Sequence, residues 1–280
     1  MRRNQGSMLC PRCGKLVSVS ADRCPYCSAT RPGLWGFGPV LQRVFGGFLN
    51  PVTAIPQVCI AWFVIALLLD PRSALSSSFG LLHILSPAPG ALGLLGATSP
   101  ASLHHGQWWT LLTAIYLHGG LLHILFNVMW IRNLAPEVGR AFGPARFFII
   151  WTVAGALGFL LSNLSPGSPG SLGASGSIFG LMAALIVYGR AIGATLLTRQ
   201  LWKWALILGV MGLLFPGIDN LAHLGGFAGG WVSATLFRSR LGRPEGRGTQ
   251  FTALAMVAVT ALALLFHLTL ALGAITRIIR

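Results

Sequence analysis

Seven long apolar stretches run along this 280-residue chain, and each approaches the helix length that crosses a bilayer, about 20 residues. They lie near residues 52–70, 117–135, 146–164, 172–189, 202–216, 221–237 and 251–275. A helix suits such stretches because it satisfies all its backbone hydrogen bonds internally. Only 9% of the residues are charged, against about a quarter in a typical soluble domain. The sequence therefore predicts an all-α polytopic membrane protein.

The basic residues fall mainly on one side of the predicted spans. With a cytoplasmic N-terminus, 17 of the 20 lysines and arginines lie in cytoplasmic segments and 3 lie outside. This is the positive-inside distribution, and it puts the C-terminus outside. It also explains the net charge of +15 without a nucleic-acid partner. We expect a multi-pass protein of the cell (inner) membrane, with no cleavable signal peptide before the first span.

Changes in composition divide the chain into five segments. A polar segment, 1–33, is expected to lie in the cytosol, and a glycine- and proline-rich linker, 34–51, follows it. Six spans make up a core over 52–238. A second cytosolic linker, 239–250, leads to a seventh transmembrane helix and tail, 251–280.

Two CxxC pairs lie in the N-terminal segment, which reads CPRCGKLVSVSADRCPYC from residue 10. Four thiolates in this arrangement complete a tetrahedral shell for Zn²⁺, so Cys10, Cys13, Cys24 and Cys27 predict a structural zinc ribbon. Disulfides are disfavoured on the cytosolic side. The ribbon's purpose stays open: it recruits a cytosolic partner, regulates the core or has no catalytic importance. Cys59, inside the first span, is interpreted as a small buried residue.

Polar side chains are costly inside a membrane and are commonly functional there. In the predicted core they concentrate in three spans: His118, His123 and Asn127 in the second, Ser175 and Ser177 in the fourth, and Asp219, Asn220 and His223 in the sixth. Ser175 and His223 each lie about one turn inside the outer end of a span. His123 and Asn127, four residues apart, share a helix face near the same end. The sequence thus brings a nucleophile, a base and two hydrogen-bond donors to one outward-opening layer.

Glycines at GxxxG spacing accompany both the serine and the histidine. Gly176 and Gly180 follow Ser175, and Gly226 and Gly230 follow His223. Small residues at this spacing allow helix backbones to approach closely. Close approach is what a hydrogen bond between Ser175 and His223 requires.

Each polar residue also has a structural interpretation. A lone serine in a membrane helix usually bonds its own i−4 carbonyl, and a lone histidine can join two helices or belong to an ion path. Asp219 is interpreted as a helix N-terminal residue, which leaves a Ser–His dyad. His118 is expected to be positional, and His267 in the seventh span has no evident partner.

Several motifs of the chain together resemble the rhomboid family of intramembrane serine proteases. The resemblance covers roughly 52–238 and rests on three motifs: Gly173-Ala174-Ser175-Gly176, Ala222-His223 followed by Gly226 and Gly230, and His118, His123 and Asn127 in the second span. It implies a six-helix core that hydrolyses peptide bonds in or beside transmembrane helices of other membrane proteins. No cofactor is implied for catalysis.

The resemblance also implies a role for each site residue. Ser175 would attack the substrate carbonyl with His223 as general base. The backbone amide of Ser175 would form the oxyanion site with His123 and Asn127, and Phe179 would stack on the base. The chain departs from the family in having Trp108-Trp109 where Trp-Arg is common, and we expect altered membrane anchoring there.

The same residues disfavour several other functions. A non-proteolytic rhomboid relative that binds membrane clients is expected to lack the serine or the histidine, and both are present. A transporter would carry polar residues along a whole pore, whereas here they lie near one face. The sequence contains no HExxH motif for a metalloprotease. Asp70 and Asp219, at span ends, lack the partner motifs of an aspartyl protease.

Overall fold

A computed structural model describes residues 6–10, 15–32, 50–72, 84–215 and 217–279, with side chains as far as Ala274. The chain divides into two compact units, Met1–Ala54 and Ile55–Arg280. The predicted linker 34–51 falls almost entirely outside the described residues, and so does Cys13.

The N-terminal unit contains a two-stranded antiparallel hairpin. Strand β1 (Ser7–Leu9) pairs with β2 (Leu16–Ser18) in a register that sets Met8 opposite Val17. Alternation along each strand points these two side chains inward, where they join Cys10, Val19 and Cys24 in a small core. So small a core buries little apolar surface, and domains of this size commonly need a metal or cross-links as well.

The second unit is built from helices, of which ten are α-helices within the described residues. Their bounds are α1 (Pro51–Leu69), α2 (Pro89–Leu94), α3 (Pro100–His104), α4 (Thr110–Thr113), α5 (Leu121–Phe142), α6 (Pro144–Leu164), α7 (Ser175–Ala191), α8 (Thr195–Leu214), α9 (Asn220–Phe237) and α10 (Arg247–Ile279). A 3₁₀ turn, Ala114–Tyr116, continues α4, and another, Arg238–Arg240, follows α9. Each of the seven predicted spans overlaps one of the long helices.

Three of these helices are long and apolar enough to cross a membrane by themselves: α1, α6 and α10 up to Ala274. A fourth candidate is a broken pair, Thr110–Tyr116 followed by α5, with a 93° bend between its parts. Helix α7 is apolar but shorter, at 17 residues. The architecture is that of a mostly helical polytopic membrane protein.

Two predicted spans differ from the helices in their bounds. The second span was expected to end at residue 135, but α5 continues through Pro136 to Phe142 and ends at Gly143, whose φ is +94°. The fifth was expected to begin at 202, but α8 begins at Thr195. Hydropathy misses residues 195–201 because they include Arg199 and three uncharged polar residues.

Helices α6 and α7 lie at the centre of the helical unit. Thirteen of the seventeen residues of α7 are buried, and so is 67% of the most apolar window of α6. The corresponding fraction is 22% for both α1 and α10, which expose most of their apolar surface. In a membrane protein that surface faces lipid, so the interior of the helical unit lies around α6 and α7.

A buried arginine connects the start of α6 with the segment that follows α9. The Arg146 guanidinium donates hydrogen bonds to the carbonyls of Phe142, Arg240, Arg243 and Pro244 at 3.0–3.2 Å. The backbone N–H of Arg146 donates to Glu245 Oε1 at 2.8 Å. A buried charge is tolerated only when it is well paired, and here carbonyl dipoles supply most of the pairing.

Candidate active site and metal cluster

Ser175 is the first residue of α7, reached through a turn that only glycine adopts readily. Gly173 has a φ of +122°, and its N–H donates to the carbonyl of Ala114 at 2.9 Å. A Cβ on Gly173 would lie 2.7 Å from His123 Nε2. A side chain is therefore excluded there both by backbone conformation and by space. The Ser175 N–H belongs to the first turn of α7, where amides have no partner within the helix.

The predicted base lies against this serine. His223 is in the first turn of α9, and its Nε2 lies 2.8 Å from Ser175 Oγ. The Phe179 ring, one turn after Ser175, stacks on the imidazole with 4.4 Å between ring centroids and 18° between planes. The imidazole is thus held by a hydrogen bond at its edge and by an aromatic ring on its face.

Glycines allow α7 and α9 to touch backbone to backbone. A Cβ on Gly226 would overlap the carbonyl of Gly176, and a Cβ on Gly230 would overlap the carbonyl of Gly180. The predicted close approach of the two GxxxG segments is confirmed. Helix α6 joins the same contact, because a Cβ on Gly158 would lie 2.5 Å from the Ala222 carbonyl oxygen.

Asp219 does not bond the imidazole of His223. It is the N-cap of α9, where its Oδ1 accepts from the backbone N–H of Ala222 at 2.9 Å. Its Oδ2 accepts from Ser162 Oγ on α6 at 2.5 Å. Throughout the part of the chain that the structure describes, His223 Nδ1 has no hydrogen-bond partner. Both carboxylate oxygens of Asp219 thus bond groups other than His223.

The predicted oxyanion donors lie on α5. His123 Nδ1 accepts from the backbone N–H of Gly119 at 3.3 Å, so in the neutral ring Nε2 carries the proton and faces Gly173. The side-chain amide of Asn127 donates to the His123 carbonyl at 2.8 Å and has a second hydrogen to donate. The fully buried ring of His118 packs edge-on against His123, with 5.1 Å between centroids. Its position is that of a packing residue.

Ser177 is separated from this site. Its hydroxyl donates to the carbonyl of Trp151 on α6 at 2.8 Å, and the side chain is completely buried. The two serines of the fourth predicted span therefore differ in environment. One contacts an imidazole and the other joins two helices.

Three of the four predicted zinc ligands lie together in the N-terminal unit. The Sγ atoms of Cys10, Cys24 and Cys27 are within 4.8 Å of one another. Those of Cys10 and Cys27 are 3.7 Å apart, close to the ~3.8 Å edge of a tetrahedron with Zn–S bonds of ~2.3 Å. A disulfide would need ~2.05 Å. The donor set therefore fits a metal ion.

Comparison with known proteins identifies the family. The Rhomboid domain profile matches residues 105–240. Rhomboid protease GluP of Bacillus subtilis (strain 168) is 33% identical over 175 residues, 61% of this chain and 33% of GluP. RHOMBOID-like protein 4 of Arabidopsis thaliana is 34% identical over 158 residues, 53% of this chain and 39% of that protein. YdcA of Bacillus subtilis (strain 168) is 31% identical over 136 residues, 47% of this chain and 68% of YdcA. The chain belongs to the rhomboid family.

This rhomboid spans less than half the length of GluP and of RHOMBOID-like protein 4. The matched region begins at His105, after the first long helix, and ends with the turn that follows α9. It contains Ser175, His223, His123 and Asn127. The cysteine cluster and α10 lie outside it.

Sequence reasoning missed two sets of contacts in the rhomboid fold. The bond from Ser162 to Asp219 joins residues of two different spans, and no local motif indicates it. No partner of His267 was evident from the sequence, and its ring contacts both Trp109 and the Leu94 carbonyl. Those partners lie in the segment between the first two spans, whose path could not be predicted from hydropathy.

Proposed function

We propose that this rhomboid is an intramembrane serine endopeptidase that uses a Ser175–His223 dyad. The observation that carries the proposal is the 2.8 Å contact between Ser175 Oγ and His223 Nε2. A serine hydroxyl is a weak nucleophile until a neighbouring base accepts its proton. Neutral histidine suits this task, since the nitrogen that lacks a proton can accept it.

The reaction follows from this contact. Ser175 Oγ bonds to the carbonyl carbon of the scissile peptide while its proton passes to His223 Nε2. Collapse of the tetrahedral intermediate breaks the C–N bond, and His223 returns the proton to the leaving amine. Water then attacks the acyl-serine ester by the same route and releases Ser175.

The oxyanion is assigned to donors from two helices. The Ser175 amide lies at the N-terminus of α7, where the helix dipole favours negative charge. Two further donors are the Nε2–H of His123, which is directed toward Gly173, and the side-chain amide of Asn127. In a site of low dielectric, loss of one such donor typically lowers kcat by about 10²–10³.

We propose transmembrane segments of other membrane proteins as substrates, cut near the outer face of the membrane. The basic residues support a cytoplasmic N-terminus and an outside C-terminus, in the cell (inner) membrane. A fully hydrogen-bonded substrate helix hides its scissile carbonyl, so small or helix-breaking residues should mark the cut. In the cytosolic ribbon, Cys10, Cys24 and Cys27 would hold a structural Zn²⁺ with Cys13 as the fourth ligand, and the ribbon is available to a cytosolic partner.

The test is cleavage of a single-span reporter protein in liposomes that contain the purified full chain. We expect Ser175→Ala and His223→Ala to abolish cleavage while the helical fold is retained. Ser177→Ala is the matched control, because it removes a nearby hydroxyl that bonds Trp151 instead, and it should still cleave. Cleavage by Ser175→Ala at the wild-type rate would overturn the proposal. A wild-type protein that binds the reporter without cutting it would favour a client-binding function.

A further inference from the structure

His267 of the tenth helix, α10, makes two hydrogen bonds to the segment before α5. His267 Nε2 accepts from the indole N–H of Trp109 at 3.2 Å. Its Nδ1–H therefore donates to the carbonyl of Leu94, at 2.9 Å. His267 is buried, and both ring nitrogens have hydrogen-bond partners. Phe266 packs edge-on against Trp109, with 5.9 Å between centroids.

Further contacts join the two segments that contain the partners of His267. Gly96, two residues after Leu94, has a φ of +94°, and a Cβ there would lie 2.7 Å from His267 Cδ2. The Gly96 carbonyl accepts from Thr113 Oγ1 at 2.7 Å. Trp109 immediately precedes α4, which Thr113 ends. Thus His267 contacts both segments that the Thr113–Gly96 hydrogen bond joins.

The same segment fixes the turn that leads to Ser175. The Ala114 carbonyl, next to Thr113, accepts from the N–H of Gly173, two residues before Ser175. Thr98 and Ser171 exchange backbone hydrogen bonds of 3.2 and 2.8 Å. Residues 98 and 114 therefore hold the approach to α7 at two points.

We infer that His267 is a positioning residue for catalysis: through Leu94 and Trp109, the α10 helix holds the segment that sets the Gly173–Ser175 turn. This inference rests on the proposed protease function. It gives α10, which lies outside the region matched by the family profile, a part in the reaction. His267 touches no reacting atom.

The physical reason is that two reacting elements depend on this turn. It places Ser175 Oγ against His223, and it directs the Ser175 amide that would bind the oxyanion. A shift of about 1 Å in such a geometry can lower a rate by up to about 10²-fold. Because this turn carries the nucleophile, we expect the effect to fall on kcat rather than on KM.

The experiment compares variants of the full chain in liposomes, with kcat, KM and the rate at which a fluorophosphonate labels Ser175. His267→Leu removes both bonds, while His267→Asn keeps a donor for the Leu94 carbonyl. Trp109→Phe removes only the indole N–H and keeps a ring against Phe266. Leu265→Ala is the control on the same helix, because Leu265 is exposed. Thermal unfolding is measured for each variant.

We expect His267→Leu to lower kcat and the labelling rate by about tenfold, with KM within about twofold of wild type. His267→Asn should recover part of the loss, Trp109→Phe should show a smaller loss of kcat, and Leu265→Ala should show none. Wild-type kcat in folded His267→Leu would overturn the inference, as would a lower melting temperature with unchanged kcat and labelling. If His267→Leu does not fold, the same criteria apply to Trp109→Phe. Failure of the proposed function would look different. In that case the wild-type protein would not cleave the reporter, or the Ser175→Ala variant would cleave it.

Discussion

Ser175 Oγ and His223 Nε2 lie 2.8 Å apart although 48 residues separate them in the chain. The contact exists because α7 and α9 pack without side chains between them. Their glycines face each other at two successive turns, Gly176 with Gly226 and Gly180 with Gly230. The position of the histidine is therefore set by backbone packing, which leads to a first prediction.

Replacing Gly226 by alanine should displace α9 from α7. The added Cβ would overlap the Gly176 carbonyl, which is backbone and cannot rotate away. We expect a loss of about 1–3 kcal/mol in the free energy of unfolding, together with reduced cleavage. Unfolding in detergent and reporter cleavage in liposomes measure the two effects.

Gly209→Ala provides the matched control for that change. Gly209 lies inside α8, and a Cβ there meets nothing within 4 Å. Alanine in a helix interior is favoured over glycine by roughly 0.5–1 kcal/mol, so this variant should be as stable as wild type or more stable. Equal stability losses in both variants would contradict the assignment of the Gly226 effect to its contact with Gly176.

Phe179 should contribute to activity by holding the imidazole of His223. An aromatic pair of this kind contributes about 0.5–1.5 kcal/mol, so Phe179→Leu is expected to lower kcat about two- to tenfold. Phe179→Tyr keeps the ring and should retain most of the activity. Phe251→Leu, at an exposed position of α10, controls for loss of an aromatic ring. Full activity of Phe179→Leu would argue against a role for the stack.

Asp219 should behave as a helix cap rather than as the acid of a triad. Asp219→Ala removes the acceptor for Ala222 N–H and should cost about 1 kcal/mol of stability. Asp219→Asn keeps that acceptor and should be milder. Because the carboxylate does not bond His223 Nδ1, we expect kcat to fall by less than about tenfold, against about 10⁴ for loss of a triad acid. A loss of the larger size in Asp219→Asn, measured on the reporter, would make the site a triad.

The cysteine cluster should bind one zinc ion per chain. Metal analysis of the purified protein tests the ratio, and Cys24→Ser should abolish binding because the Cys24 thiol is one of the three clustered ligands. Cys59→Ala is the control, since Cys59 is buried in α1 and lies outside the cluster. Chelation should unfold residues 10–27 and leave the helical unit folded. Loss of helical structure on chelation would contradict the independence of the two units.

The helical class and the pairing of polar residues could be predicted because both follow from local patterns. Hydropathy locates the spans, and GxxxG spacing marks the faces that meet. The ends of the helices were less predictable where proline or polar residues lie inside a helix. The predicted span stops before Pro136, but α5 continues through it to Phe142. The predicted span missed the start of α8 because Arg199 and its polar neighbours lower the hydropathy there.

The segment between the first two spans could not be predicted for a different reason. Its described part, 84–116, is held by contacts with residues far along the chain, such as Leu94 with His267 and Ala114 with Gly173. No local sequence pattern indicates either of these two pairings. The part of the site that escaped prediction is thus the part built from long-range hydrogen bonds to backbone.

The hydrogen bonds of the Arg146 guanidinium also constrain the order in which the helices assemble. Three of the four carbonyls that its guanidinium contacts belong to residues 240–244, about a hundred positions further along the chain. During synthesis, α6 therefore enters the membrane before most of the partners of its arginine exist. The Arg146 guanidinium can make all of these hydrogen bonds only after the ribosome has passed Glu245. Closing of the bundle around α6 is in this way tied to completion of α9, the helix that brings His223 to Ser175.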